Sequence, residues 1–213
     1  KKGPPVHILY PYGIDEDALE KYSHHPKQDI VGMVGNFIPW KGHELFIRSM
    51  RLIHDEYPGV RFVIIGNPYE GNIESLKYLE FCRDLIRDEG LETFCQIKTD
   101  VLNVFHEISQ WKVLVHCSLK PEPLGRVIFE GLSSGCAVIA SRLGGPYEII
   151  ADNEWGELIT PNRENLTFAI SRMLSSPALQ HHLADAARAY IKRHFLWVNV
   201  LSDFRQMIDP LIG

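Results

Sequence analysis

The sequence predicts one doubly wound α/β domain built on a parallel sheet. Three observations lead there. Short apolar runs alternate with amphipathic stretches along most of the chain. The runs are apolar without period-2 alternation, as expected of strands buried on both faces. Their order, strand, helix, strand, helix, is the one that covers a parallel sheet on both sides. A length of 213 residues suits one large domain, and 45% hydrophobic residues excludes a disordered or fibrous chain.

Residues 1–26, with Pro4, Pro5, Pro11 and Pro26, read as a lead-in, and the domain itself occupies 27–213. Residues 30–35 (IVGMVG) form the first strand. A helix follows over 42–57, with Phe46, Met50, Ile53 and Tyr57 at helical spacing, and Pro58-Gly59 ends it. Residues 61–66 (RFVIIG) are the second strand. A long helix covers 73–89, and Gly90 suits the position just past its end. The third strand is 94–98, followed by a short helix over 101–109. The fourth strand is 112–117 (KVLVHC), then a Pro-containing loop and a helix over 125–134. The fifth strand is 137–141 (AVIAS). A short helix near 146–151 leads to a sixth strand at 157–160, and from Arg163 onward the pattern is helical.

Composition removes several function classes. Net charge is −5, from 22 basic and 27 acidic residues, so the chain lacks the basic field of a general nucleic-acid binder. No apolar run approaches the roughly 18 residues of a membrane span. The start, KKGPPVHILY, has no Met and too short an apolar stretch for a signal peptide, and is expected to be that of a fragment or processed chain. Cys82, Cys95, Cys117 and Cys136 form no CxxC pair and read as buried thiols of a reducing, cytoplasmic compartment. Ten histidines show no HExxH or similar spacing, so no metal site is expected.

In a doubly wound sheet, ligands bind beyond the carboxyl ends of the strands. The loops after Gly35, Gly66, Lys98 and Ser118 are therefore where chemistry is expected. The first reads Gly35-Asn36-Phe37-Ile38-Pro39-Trp40-Lys41-Gly42. It is neither GxGxxG nor a Walker loop, which removes most support for a dinucleotide oxidoreductase. Lys41 reads either as a phosphate-binding cation or as a solvated surface lysine. The fourth loop, PEPLGRVIFE, places Glu122 in the loop and Glu130 in the second turn of a helix opening near Gly125. Free amides near Gly125, Arg126 and Val127 carry partial positive charge and suit a diphosphate. One glutamate would then face each end of a long ligand. A glycosidase using the two carboxylates is the competing reading, since it needs them within about 9.5 Å. The parallel sheet and helix-end anion site favour phosphate. After the fifth strand, Leu143-Gly144-Gly145-Pro146-Tyr147-Glu148 again permits close backbone approach, or is simply a tight turn.

Taken together, these motifs resemble the C-terminal half of a retaining glycosyltransferase of the GT-B fold, glycosyltransferase family 4. Gly35 to Gly42 resembles that family's G-R-x-x-x-x-K-G loop. Glu122 and Glu130 reproduce its E-x7-E signature inside PEPLGRVIFEGLSSGCAVIAS, and Gly144 to Glu148 its G-G-x-x-E. Arg193-His194-Phe195-Leu196-Trp197 is similar to its late R-F-S-W. The resemblance implies a Rossmann-like domain that binds a nucleotide-sugar donor and transfers the sugar with retention, without a metal or other cofactor. It implies Lys41 at the donor diphosphate and Glu122 at the transferred sugar, the two catalytic positions. Gly35 and Asn36 would line the donor, and amides around Leu124, Gly125 and Arg126 would hold sugar hydroxyls and phosphate. Glu130 would bond the ribose, and the loop from Lys98 to Val101 would line the base.

Three departures stand out. Asn36 replaces the usual Arg, with Arg126 a candidate for partial compensation. The lead-in P-N-G is Pro11-Tyr12-Gly13. The family's N-terminal acceptor-binding domain has no room in 213 residues; it would be the main partner, and any peripheral membrane contact would fall to it. Two alternatives stay open: a non-catalytic nucleotide-sugar-binding or regulatory domain, and a GT-B nucleotide-sugar epimerase.

Overall fold

The computed structural model describes residues 10, 12–150 and 154–212. Pro4, Pro5, Pro11 and the end of the helix expected near 151 lie outside the described residues. Six strands form one sheet: β1 (Gln28–Val34), β2 (Arg61–Ile65), β3 (Cys95–Lys98), β4 (Trp111–His116), β5 (Ala137–Ser141) and β6 (Glu157–Ile159). All pair in parallel, in the order β3-β2-β1-β4-β5-β6. The helices are α1 (Glu16–Tyr22), α2 (His43–Glu56), α3 (Ile73–Asp88), α4 (Val104–Ser109), α5 (Arg126–Ser133), α6 (Gly145–Ile150), α7 (Arg163–Ser175), α8 (Pro177–His194) and α9 (Trp197–Ile212), with a 3₁₀ turn over Pro39–Lys41. The doubly wound parallel fold is the one expected, and each strand falls where the apolar runs placed it. Among the described residues, no helix is long and apolar enough to cross a membrane.

The uninterrupted apolar runs have a simple cause. Successive strand residues point to opposite faces, and both faces are covered. Val31, Met33, Val113, Val115, Ala137 and Ile139 pack with α2, α3 and α7. Ile30, Trp111, Leu114, Val138 and Ala140 pack with α4, α5, α6 and α8. Asn72, Asn103 and Asn162 each accept a backbone N–H at the start of α3, α4 and α7, the usual service of an Asn cap. The Asn103 cap also explains why α4 begins at Val104 and not at Val101.

The stretch read as a lead-in contributes α1, which the apolar pattern did not reveal. Asp15 caps it by accepting from the Ala18 N–H at 3.1 Å, and Leu19 is fully buried. Just before it, Ile14 bridges to Leu196, tying this stretch to the start of α9. All four cysteines are buried and unpaired.

The chain moves outward from β1 in both directions, so the carboxyl ends of β1 and β4 flank the crevice where such sheets bind ligands. The two loops leaving those ends touch: the Leu119 N–H donates to the Trp40 carbonyl at 2.7 Å. Gly42 makes this contact possible. Its φ is +84°, and a Cβ there would lie 2.2 Å from the Cys117 carbonyl oxygen. Gly42→Ala is therefore expected to cost about 2 kcal/mol through left-handed strain and backbone overpacking. At this chain length that lowers Tm by about 4–8 °C. An unchanged melting curve would show that the two loops can separate freely.

Candidate functional site

The crevice is organised around Glu122. Its backbone bridges to Gly144, and its carbonyl accepts from the Gly145 N–H at 2.7 Å, so the two glycine-containing loops hold each other. This fixes the backbone of Glu122 in the loop beyond the carboxyl end of β4. Its Oε1 accepts from Lys41 Nζ at 2.5 Å and from His116 Nε2 at 3.0 Å, and also from the Ser118 hydroxyl. An ionised carboxylate only accepts, so His116 carries its proton on Nε2. The side chain of Glu122 is 8% exposed. Burial alone would raise its pKa, but His116, Lys41 and Ser118 together outweigh that and hold the carboxyl at about 2. Glu122 is thus a fixed anion at any physiological pH and cannot act as a proton donor.

Lys41 reaches Glu122 from the last residue of the 3₁₀ turn, and its ammonium sits 4.6 Å from the centroid of the Trp40 ring. The sequence left Lys41 between a site cation and a solvated residue; the structure sets it on Glu122, 81 positions away. His116 and Ser118, the last residue of β4 and the second beyond it, escaped the sequence reading. Their signal was their place at the end of a buried strand beside a loop already singled out.

Gly125 opens α5 as its N-cap in the left-handed region, φ +68°. Arg126 begins the helix, is exposed, and makes no ion pair among the described residues. Leu124, half-buried, packs on the core beneath. One turn on, Glu130 accepts from the Tyr12 hydroxyl at 3.3 Å. Burial raises the Glu130 pKa, and Tyr12 and Arg126 only partly oppose it. The two carboxylates therefore differ in kind. Glu122 is stabilised as an anion by groups already in place, whereas Glu130 is half-buried with one neutral donor and the more distant Arg126 charge.

The remaining predicted residues divide. Gly35 and Asn36 follow β1, and with Val101 they line a small cavity of about 170 Å³ at the ends of β1 and β2. Lys98 is not part of this group: its ammonium pairs with Glu107 on α4 at 2.6 Å. Asn67 and Asp100 also line the cavity, and the Asn67 Oδ1 accepts from the Asp100 N–H at 2.8 Å. Among the described residues, no three His, Cys, Asp or Glu side chains group as metal ligands would.

Comparisons with known proteins bear on the family and the fold. Residues 15–190 match the family described as Glycosyl transferases group 1. Spore coat protein SA of Bacillus subtilis is 28% identical over 198 residues, covering 91% of this chain and 52% of that protein. A glycosyltransferase structure from Rickettsia africae superposes with a TM-score of 0.82 at 21% identity, over 97% of this chain and 57% of that one. Anabaena Alr3699/HepE, solved in complex with UDP and glucose, also gives 0.82 at 22% identity, over 96% and 56%. The chain spans about half the length of the curated relatives it matches. With the family's match extending from the residue before α1 into α8, the chain belongs to the group 1 glycosyl transferases.

Proposed function

We propose that this domain binds a nucleotide-sugar donor and forms the donor half of a retaining glycosyltransferase, with the acceptor bound by a domain outside these residues. The observation that carries the reading is the Lys41–Glu122–His116–Ser118 cluster beside the open N-terminus of α5, with Glu130 one turn further. Its support includes the UDP and glucose bound by the structurally similar Anabaena protein. Four buried, unpaired thiols fit a reducing cytoplasmic setting.

The residues divide the chemistry as follows. As the sugar–phosphate bond breaks, its electron pair goes to the diphosphate oxygen and positive charge develops on the sugar ring. The amides at Gly125 and Arg126, with the Lys41 ammonium, face the growing negative charge. Being already oriented, they stabilise the transition state more than the ground state. Glu122, kept ionised by its three donors, accepts hydroxyls of the transferred sugar and offsets the charge on the ring. It needs no protonation change to do so. Glu130 accepts a ribose hydroxyl at the other end of the donor. Asn36 and Val101 border the base, and the Arg126 guanidinium supplies charge that Asn36 does not.

Asn36 is also the observation behind a second reading, a non-catalytic nucleotide-sugar-binding domain, because it leaves the diphosphate with one cation fewer than the family pattern. Turnover by the whole protein separates the two, and product analysis without acceptor separates both from an epimerase.

The donor assignment is tested by titrating two variants with uridine, guanosine and adenosine diphosphates. Glu130→Ala is expected to weaken binding about tenfold or more, about 1.4 kcal/mol, through loss of the ribose contact. Glu122→Ala is expected to leave binding unchanged or tighten it, because the sugar is absent and Lys41 is released from its ion pair. Equal losses in the two variants would overturn the assignment of ends.

A further inference from the structure

The segment before α1 carries two phenols that reach back over the helix-end site. Tyr10 donates to Glu148 Oε2 at 2.8 Å, and Tyr12 donates to Glu130 Oε1 at 3.3 Å. The Tyr12 ring lies 5.1 Å from that of Phe129, the residue beside Glu130. The segment is anchored from the far side as well. The Ile14 N–H donates to the Phe195 carbonyl at 2.6 Å, and the Trp197 N–H donates to the Ile14 carbonyl at 3.1 Å. Tyr12 is thus held by its ring, its hydroxyl and the backbone two residues on.

This matters for Glu130 because a carboxylate has about four acceptor positions on two oxygens. Tyr12 takes one on Oε1, and Oε2 has no protein partner among the described residues. A glutamate with neither oxygen engaged rotates freely about its last bond, a broad torsion. One pinned at Oε1 presents Oε2 in a single direction and loses less entropy when a ligand hydroxyl arrives. Asn stands at this place in the family pattern that the lead-in resembles; here the residue is Tyr12.

We propose that Tyr12 is a positioning residue for Glu130: its phenol fixes the carboxylate so that Oε2 receives a ribose hydroxyl, which makes Tyr12 a determinant of the preference for ribonucleotides over their deoxy counterparts. The inference rests on the reading of Glu130 as the ribose acceptor.

The test is calorimetric titration of the 213-residue chain with the tightest binder among uridine, guanosine and adenosine diphosphates, and with its 2′,3′-dideoxy form. The wild type is expected to prefer the ribonucleotide tenfold or more. Tyr12→Phe keeps the ring on Phe129 and removes only the hydroxyl. It is expected to shrink that preference at least threefold, with dideoxy affinity within twofold of wild type. Tyr10→Phe removes the other hydroxyl of the same segment and is expected to retain the full preference, which separates an effect on Glu130 from a loosened segment. If Tyr12→Phe weakens both nucleotides equally, or neither, Tyr12 only supports the fold and the proposal fails while the donor reading stands. A wild type that binds both sugars equally overturns the role of Glu130 and of Tyr12 together. A wild type that binds no nucleoside diphosphate overturns the donor reading itself, and this inference with it.

Discussion

Assayed alone, the 213-residue chain is expected to fold and to bind nucleoside diphosphate, but to transfer no sugar. Folding follows from a six-stranded sheet covered on both faces, a complete core at this length. Binding follows because Lys41, the start of α5 and Glu130 all stand at one edge of that sheet. Transfer is expected to fail because an acceptor hydroxyl must be held in near-attack geometry, a contribution of about 7–11 kcal/mol. The curated relatives are about twice as long as the part this chain matches, and under the proposed function the acceptor residues lie in that other half. The crevice would also be open to water on that side, so slow donor hydrolysis is the residual activity expected. The measurement assays the 213 residues with donor and candidate acceptors, beside a chain that also carries an acceptor-binding domain. Equal transfer by the 213 residues would place the acceptor site within them and refute the half-enzyme reading.

Glu122→Gln and Glu130→Gln are expected to change stability in opposite directions. The folded-state pKa of Glu122 is about 2, below its ordinary 4.5. Its contribution is therefore fully present above pH 4.5 and is lost as pH falls from 4.5 towards 2. The shift corresponds to about 3 kcal/mol at neutral pH. Glu122→Gln should lower Tm at pH 7 by about 6–12 °C, with the gap to wild type closing as the pH drops through that window. Glu130 has the reverse sign. Its pKa is raised, burial being the main cause, so stability is lost as the pH rises from the ordinary 4.5 through the folded-state value, and the full cost stands above it. Glu130→Gln keeps an acceptor for Tyr12 and removes the half-buried charge, and should raise Tm at pH 7 while weakening nucleotide binding. Stability given up at a ligand-binding group is a known trade. Thermal melts of the three proteins from pH 2.5 to 7.5 check both expectations. A Glu122→Gln deficit independent of pH would assign its loss to packing and not to charge.

Much of the candidate site is local in the chain and was legible there. The turn at Gly35–Gly42, the glutamates eight positions apart and the Gly144-Gly145 turn all lie beside apolar runs that could only be buried strands. Their placement at strand ends followed from that alone. The short helix α1 was missed because it buries few residues, Leu19 and Tyr22 among them, too few for a periodic signal amid prolines and histidines. The partner of Lys98 was not legible, because its neighbours in the chain do not reveal which way its side chain leaves the sheet; the structure pairs it with Glu107, one helix later.

By itself, then, the sequence determined the alternation of strands and helices, the two apolar faces and the residue types at each strand end. These depend on short-range periodicity, which any local stretch carries in full. Only the tertiary structure decided which strand ends are neighbours, and with that the partners of each charged group. Lys41 meets Glu122 across 81 positions and Tyr12 meets Glu130 across 118. Both meetings depend on the order β3-β2-β1-β4-β5-β6 and on the clasp between Ile14 and Leu196. A carboxylate's charge state is set by burial and by what stands within hydrogen-bond reach of it. The contrast between a Glu122 held ionised at neutral pH and a Glu130 whose pKa burial raises could therefore arise only once the sheet had assembled around them.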